Sequence, residues 1–187
     1  MPLFNDQFTE KEKATLPPKS EKLFVYKHLY DATIKMKPAL GDEADFKFCQ
    51  TFWLGLTDAI APWGELLDDD RTPSSVREHT VAAHGVTLHA LGELGKYLGE
   101  TAKLSGNHNS HEKLLKKLSG IDWHKTNPDW LHRVIDSNGG MLSKRHNVKL
   151  MLNYFKAKIG VPEKNFSKAD KELETVHIGN LGVFEHG

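Results

Sequence analysis

The chain has 187 residues, 39% hydrophobic and 27% charged, a balance that supports one globular domain with its own core and excludes a disordered polyelectrolyte. No stretch approaches the ~18 consecutive apolar residues of a membrane span. The first nineteen residues lack the apolar run of a secretory signal, and a lone Cys49 excludes an internal disulfide and a cysteine-rich metal site, so the cytoplasm is the expected location.

In chain order, residues 1–19 are polar, contain Pro17 and Pro18, and predict a mobile N-terminal arm. Residues 20–178 read as a single all-α domain of about six to eight helices, and residues 179–187 as a C-terminal tail. Ser20 is the expected cap of a first helix whose apolar face is Leu23, Tyr26, Tyr30 and Ile34, ended by Pro38 and Gly41. Asp42 opens a second helix with a seam of Phe46, Cys49, Trp53, Leu56 and Ile60, on which Cys49 reads as a small buried hydrophobe. The run Asp68, Asp69, Asp70 reads as a solvated loop.

Ser75 and Glu78 have capping-box spacing and predict a long helix through Gly99, with Val81, His84, Leu88, Leu91, Gly95 and Leu98 on one face. Gly85, Gly92 and Gly99 recur every seven residues, the pattern of a groove where another helix or a ligand backbone comes close. Ser105 to Ser110 is an expected loop, followed by a short basic helix with Lys113, Lys116 and Lys117 around Leu114, Leu115 and Leu118. Asn127 before Pro128 predicts a helix to Ile135. After the turn Ser137 to Gly140, Ser143 is a candidate cap for a helix with the apolar face Val148, Met151, Leu152, Phe155 and Ile159. A final helix is expected from Ser167 to Val176.

Lys+Arg and Asp+Glu each number 25, yet residues 38–100 carry a net −7 and residues 101–162 a net +7. Arg145, Lys149, Asn153 and Lys156 fall on one helical stripe, and with Lys113, Lys116, Lys117 and Lys144 they are the candidate DNA contacts, since lysine and arginine neutralise phosphates. The segment from Asn127 to Ile159 also permits a helix-turn-helix reading. His79, His84 and His89 are five residues apart, which turns neighbours about 140° away from each other on a helix. His108 and His111 lack further ligands by spacing, so no metal or other cofactor is expected. Phosphate-loop, dinucleotide and nucleophile-elbow motifs are absent, leaving only a weak enzyme reading through Glu78, His79 and His84.

Four segments carry a family resemblance: Lys19 to Phe24 with Leu29 to Thr33; Arg77-Glu-His-Thr with His84-Gly-Val and Leu88 to Gly95; Ile121-Asp-Trp123 with Asn127; and Gly140 to Lys144 with Asn147-Val. Over residues 19–162 the chain resembles the C-terminal half of the DndB family of DNA phosphorothioation systems, part of a wider group named for an Asp-Gly-Gln-His-Arg motif. That motif, which the family carries on an N-terminal ParB-like domain, is absent from this sequence. The resemblance marks Arg77, His84, Gly85, Gly92, Trp123 and Ser143 as family-motif positions. It implies a non-catalytic, DNA-associated regulatory or accessory module, with DNA as partner and a further polypeptide bearing the missing domain as a candidate second partner. The alternative expectation is an interaction scaffold that docks that polypeptide, or a second copy, along the glycine-lined helix 76–99.

Overall fold

A computed structural model describes residues 8–39, 41–105 and 111–184. Among the described residues the chain is all-α apart from one two-residue parallel strand pair, β1 (Thr9–Glu10) with β2 (Phe24–Val25). Helices α1 (Tyr26–Met36) and α2 (Asp42–Ala59) follow, then short α3 (Ala61–Leu67) and α4 (Pro73–His79), and the long α5 (Gly85–Ser105). The chain continues through α6 (His111–Leu115), 3-10 turns at Lys116–Gly120 and Pro128–Trp130, α7 (Arg145–Lys158) and α8 (Lys168–Phe184). None of the described helices is long and apolar enough to cross a membrane.

The core is organised around α5, which packs against α1 on one side and α7 on the other. The glycine interval has the physical cause its spacing suggests. A Cβ built on Gly92 would lie 2.7 Å from the Ala32 carbonyl oxygen, on Gly95 2.9 Å from Met36 Cβ, and on Gly99 2.8 Å from Pro38 Cβ. Position numbers rise together along both helices, so α1 and α5 run parallel with backbones nearly touching. The glycine groove is thus filled by α1 of the same chain. Contacts from Thr87 to Met151 and from Tyr97 to Lys156 also rise together, and Gly85 and Val86 line one cleft with Ser143, so α7 is parallel to α5 as well. The amino-terminal ends of three helices therefore share one end of the molecule.

Several local expectations are corrected. Ser20 caps nothing helical: Leu23 to Val25 are buried and extended against the arm, and α1 begins at Tyr26. Its large residues Tyr26, Tyr30 and Ile34 are 43%, 51% and 51% exposed, because contact with glycines requires the small Ala32, flanked by Leu29 and Met36. Phe46 lies outside its seam at 69% exposure, while Cys49, Trp53, Leu56 and Ile60 are buried. Thr72, not Ser75, caps α4 by accepting from the Ser75 amide at 3.2 Å. The expected helix 76–99 is broken at residues 80–84, where the Val81 amide donates to the Trp123 carbonyl at 2.9 Å.

Ser105 ends α5, and residues 106–110, including His108, lie outside the described residues. Asn127 does cap the Asp129 amide at 3.0 Å, but only a 3-10 turn follows. Without a first helix, the helix-turn-helix reading falls. Lys144 rather than Ser143 occupies the cap position of α7, its amide donating to Asn147 Oδ1 at 3.2 Å. Ser167 and Asp170 cap α8 reciprocally, and that helix runs on to Phe184, beyond the expected boundary of the tail.

Candidate functional site

The family-motif positions separate into two kinds. Gly92 and Trp123 serve packing: Gly92 lies beneath α1, while Trp123 stacks 6.1 Å from Trp130 and 5.8 Å from Phe155 and receives the Val81 amide. Arg77, His84, Gly85 and Ser143 meet at the shared amino-terminal end of α1, α5 and α7. Two adjoining clefts lie there, one of about 800 Å³ against the arm and α4, the other of about 320 Å³ between α5 and the entry to α7. His28, His84 and Gly85 line both.

Arg77 holds the arm. Its guanidinium donates to the carbonyls of Pro17 at 3.2 Å, Pro18 at 2.8 Å, Ser20 at 3.0 Å and Lys22. Together with the strand pair and the Leu23 and Phe24 amides on the Phe8 carbonyl, this ties the described arm to the body as one wall of the larger cleft. A fork of several donors is needed to reach four carbonyls, which a single ammonium cannot reproduce. Arg77→Ala is therefore expected to raise tryptic cleavage at Lys11, Lys13 and Lys19 several-fold with far-UV circular dichroism unchanged; unaltered cleavage would show that the arm is held without it.

His84 sits in the break between α4 and α5. Its Nε2 faces the Arg77 carbonyl at 3.0 Å, and since a carbonyl only accepts, Nε2 carries the proton. Burial, assisted by Lys125, pushes its pKa down to about 4, so the ring is neutral near pH 7. His28 Nδ1 and His89 Nε2 lie 3.2 Å apart across the α1–α5 contact. His28 escaped the sequence reading; the facing Gly85, whose Cβ would meet its ring at 3.1 Å, was the only available sign. His79 instead lies beside His124, with ring centroids 6.1 Å apart, whereas Glu78 and His84 both line the larger cleft. Among the described residues no group of three or more side chains could hold a metal ion.

The cationic residues divide. Lys144, Arg145 and Lys149 are exposed at the amino-terminal end of α7, beside Ser143, and no carboxylate of the described residues pairs with them. Asn153 and Lys156 are buried, at 2% and 9% exposure, and leave the surface stripe. The Asn153 amide donates to the Asp170 carbonyl, and the Lys156 ammonium lies over the rings of Tyr97 and Phe166 at 4.8 and 5.7 Å. Lys113, Lys116 and Lys117 are exposed at the opposite end of α7, where Lys117 Nζ donates to the Ile159 carbonyl at 3.0 Å. The 14 residues of α7 put the two cationic groups about 20 Å apart.

Fold and site together define a helical protein with two adjoining clefts at the amino-terminal end of its central parallel helices, next to the exposed cations that open α7. A sequence model of the DndB family, described as DNA-sulfur modification-associated, matches residues 1–162. The chain belongs to that family, and with it to DNA sulfur-modification systems. The match takes in the arm as well as residues 19–162. No curated protein and no solved structure matches the chain.

Proposed function

We propose that the chain is a DNA-associated regulatory or accessory module of a DNA sulfur-modification system, one that contacts the phosphate backbone with Lys144, Arg145 and Lys149. Family membership supplies the setting. The observation that carries the reading is the junction of three exposed cations with the amino-terminal ends of three parallel helices. Each helix end presents unsatisfied N–H groups and roughly half a positive charge. Their dipoles add to the side-chain charges instead of opposing them, and the product is a local positive field on a chain of zero net charge. Lys113 and Lys116 would extend the contact along α7.

The test is duplex binding across a salt series. Each phosphate neutralised contributes about 0.9 to the slope of log K against log salt. The combined Lys144→Gln, Arg145→Gln and Lys149→Gln variant is expected to lower that slope by between two and three, roughly, and to weaken low-salt binding at least tenfold. Lys113→Gln with Lys116→Gln shows whether the track runs the length of α7. Absence of binding at low salt, or a flat slope, would remove the proposal.

A further inference from the structure

The row Arg145, Lys149, Asn153, Lys156 is continuous in helical spacing but only its first half is open to solvent. What closes the second half is α8 over Asn153, which donates to the Asp170 carbonyl, and, over the Lys156 ammonium, Tyr97 of α5 on one side and Phe166, just before α8, on the other. This cover docks in an unusual way. Among the described side chains of α8, the fully buried ones are the polar Asp170 and His177; Leu173 and Glu174 are half-buried, whereas Val176 and Ile178 are 62% and 64% exposed. Among the described residues one tether is an ion pair, Arg133 to Glu174, with nitrogen–oxygen distances of 3.0 and 3.1 Å. Over its described side chains, residues 168–178, the helix is held by polar contacts and no apolar side chain is fully buried, the pattern of a segment at the low-stability end of a fold.

Beneath it, Lys156 is a buried cation that no carboxylate of the described residues pairs with, and Asn153 Oδ1 is buried without a hydrogen-bond donor. Both groups are better satisfied when uncovered, the ammonium most of all on a phosphate. The helix also lies wholly beyond residue 162, where the family match ends.

We propose that α8 is a strap that withholds the carboxyl-terminal half of the α7 cationic row, and that its release adds Lys156 to the polyanion contact. The proposal rests on the DNA-contact reading above. Binding and release exchange no covalent bond; they exchange Phe166 for a phosphate oxygen around an ammonium that keeps Tyr97 of α5 on its other side.

Two charge-neutral variants of the full chain loosen the strap, Leu173→Gly within α8 and Phe166→Ala over Lys156. Each is first checked for unchanged far-UV dichroism outside the α8 contribution. Titrated with a short DNA duplex and, separately, with heparin, each is expected to bind at least threefold more tightly than the unaltered chain at low salt. The salt slope for duplex should steepen by about one phosphate's worth. Adding Lys156→Gln to either variant should abolish the gain. Hydrogen exchange on the unaltered chain supplies a readout free of any ligand: α8 amides should exchange at least tenfold faster than those of α5. Equal exchange in α8 and α5, or a gain that survives Lys156→Gln, overturns the strap. Heparin gain without duplex binding by any form supports the strap and overturns the DNA reading, whereas no gain with either polyanion overturns the strap alone if the unaltered chain binds duplex.

Discussion

Gly92→Ala is expected to destabilise the chain by about 2 kcal/mol, although alanine is the better helix former by roughly 1 kcal/mol. The added methyl would sit 2.7 Å from the Ala32 carbonyl oxygen and 2.8 Å from Ala32 Cα. Both are backbone atoms of α1, so relief requires sliding a whole helix whose other contacts, at Gly95 and Gly99, are equally close. Overpacking of this kind costs about 1–3 kcal/mol in tightly packed cores and more where backbone must move. Gly64→Ala in α3 is the control of opposite sign: its Cβ would meet nothing within 4 Å, so the propensity gain of up to ~1 kcal/mol stands unopposed. Chemical denaturation of both variants checks the pair. A neutral or stabilising Gly92→Ala would show that α1 does not lie against α5 as described.

The glycine interval was readable because a repeat of seven has few causes in a helix. Its partner was not, because the face that touches those glycines must itself be small, and Ala32 carries no weight in a pattern of large apolar residues. The same reasoning misassigned α1, whose conspicuous Tyr26, Tyr30 and Ile34 face outward. The break at residues 80–84 was hidden for a different reason: Ser75 and Glu78 mimic a capping box, whereas Thr72 with Pro73 starts a separate short helix. Extended segments of two residues, such as Phe24–Val25, are too short for any alternation to register.

For the site, the sequence supplied the members and not their meeting. Arg77, His84, Gly85 and Ser143 come from segments whose proximity depends on α1, α5 and α7 running parallel, and that depends on the returns between them. The cationic row had the right spacing on α7, but spacing cannot reveal cover contributed by Phe166 and Asp170. Charge pattern predicted a positive region in residues 101–162; the fold splits it to the two ends of one helix and removes its centre.

Lowering the pH from about 7.5 to about 5 is expected to cost about 2 kcal/mol of stability through His84 alone, before carboxylates begin to titrate. Burial, then Lys125, hold the folded-state pKa near 4, against 6.5 for the unfolded chain. A histidine shifted downward binds its proton more readily when unfolded, so acid favours unfolding. The stabilisation is complete above about pH 6.5 and is lost progressively toward the folded-state value. His89 and His177 are also lowered, chiefly by burial, and act in the same direction. His84→Gln keeps an N–H to offer the Arg77 carbonyl but cannot titrate. Its urea denaturation should therefore lose about 2 kcal/mol of the pH dependence between those limits while the contribution of the other two histidines persists. An undiminished dependence would place the titration elsewhere. The sign bears on function as well: at neutral pH His84 enters the cleft as an uncharged donor that fixes the α4–α5 break. The positive field that would receive phosphate then comes from the helix ends and from Lys144, Arg145 and Lys149, and DNA affinity should track those cations across this pH range without a contribution from His84.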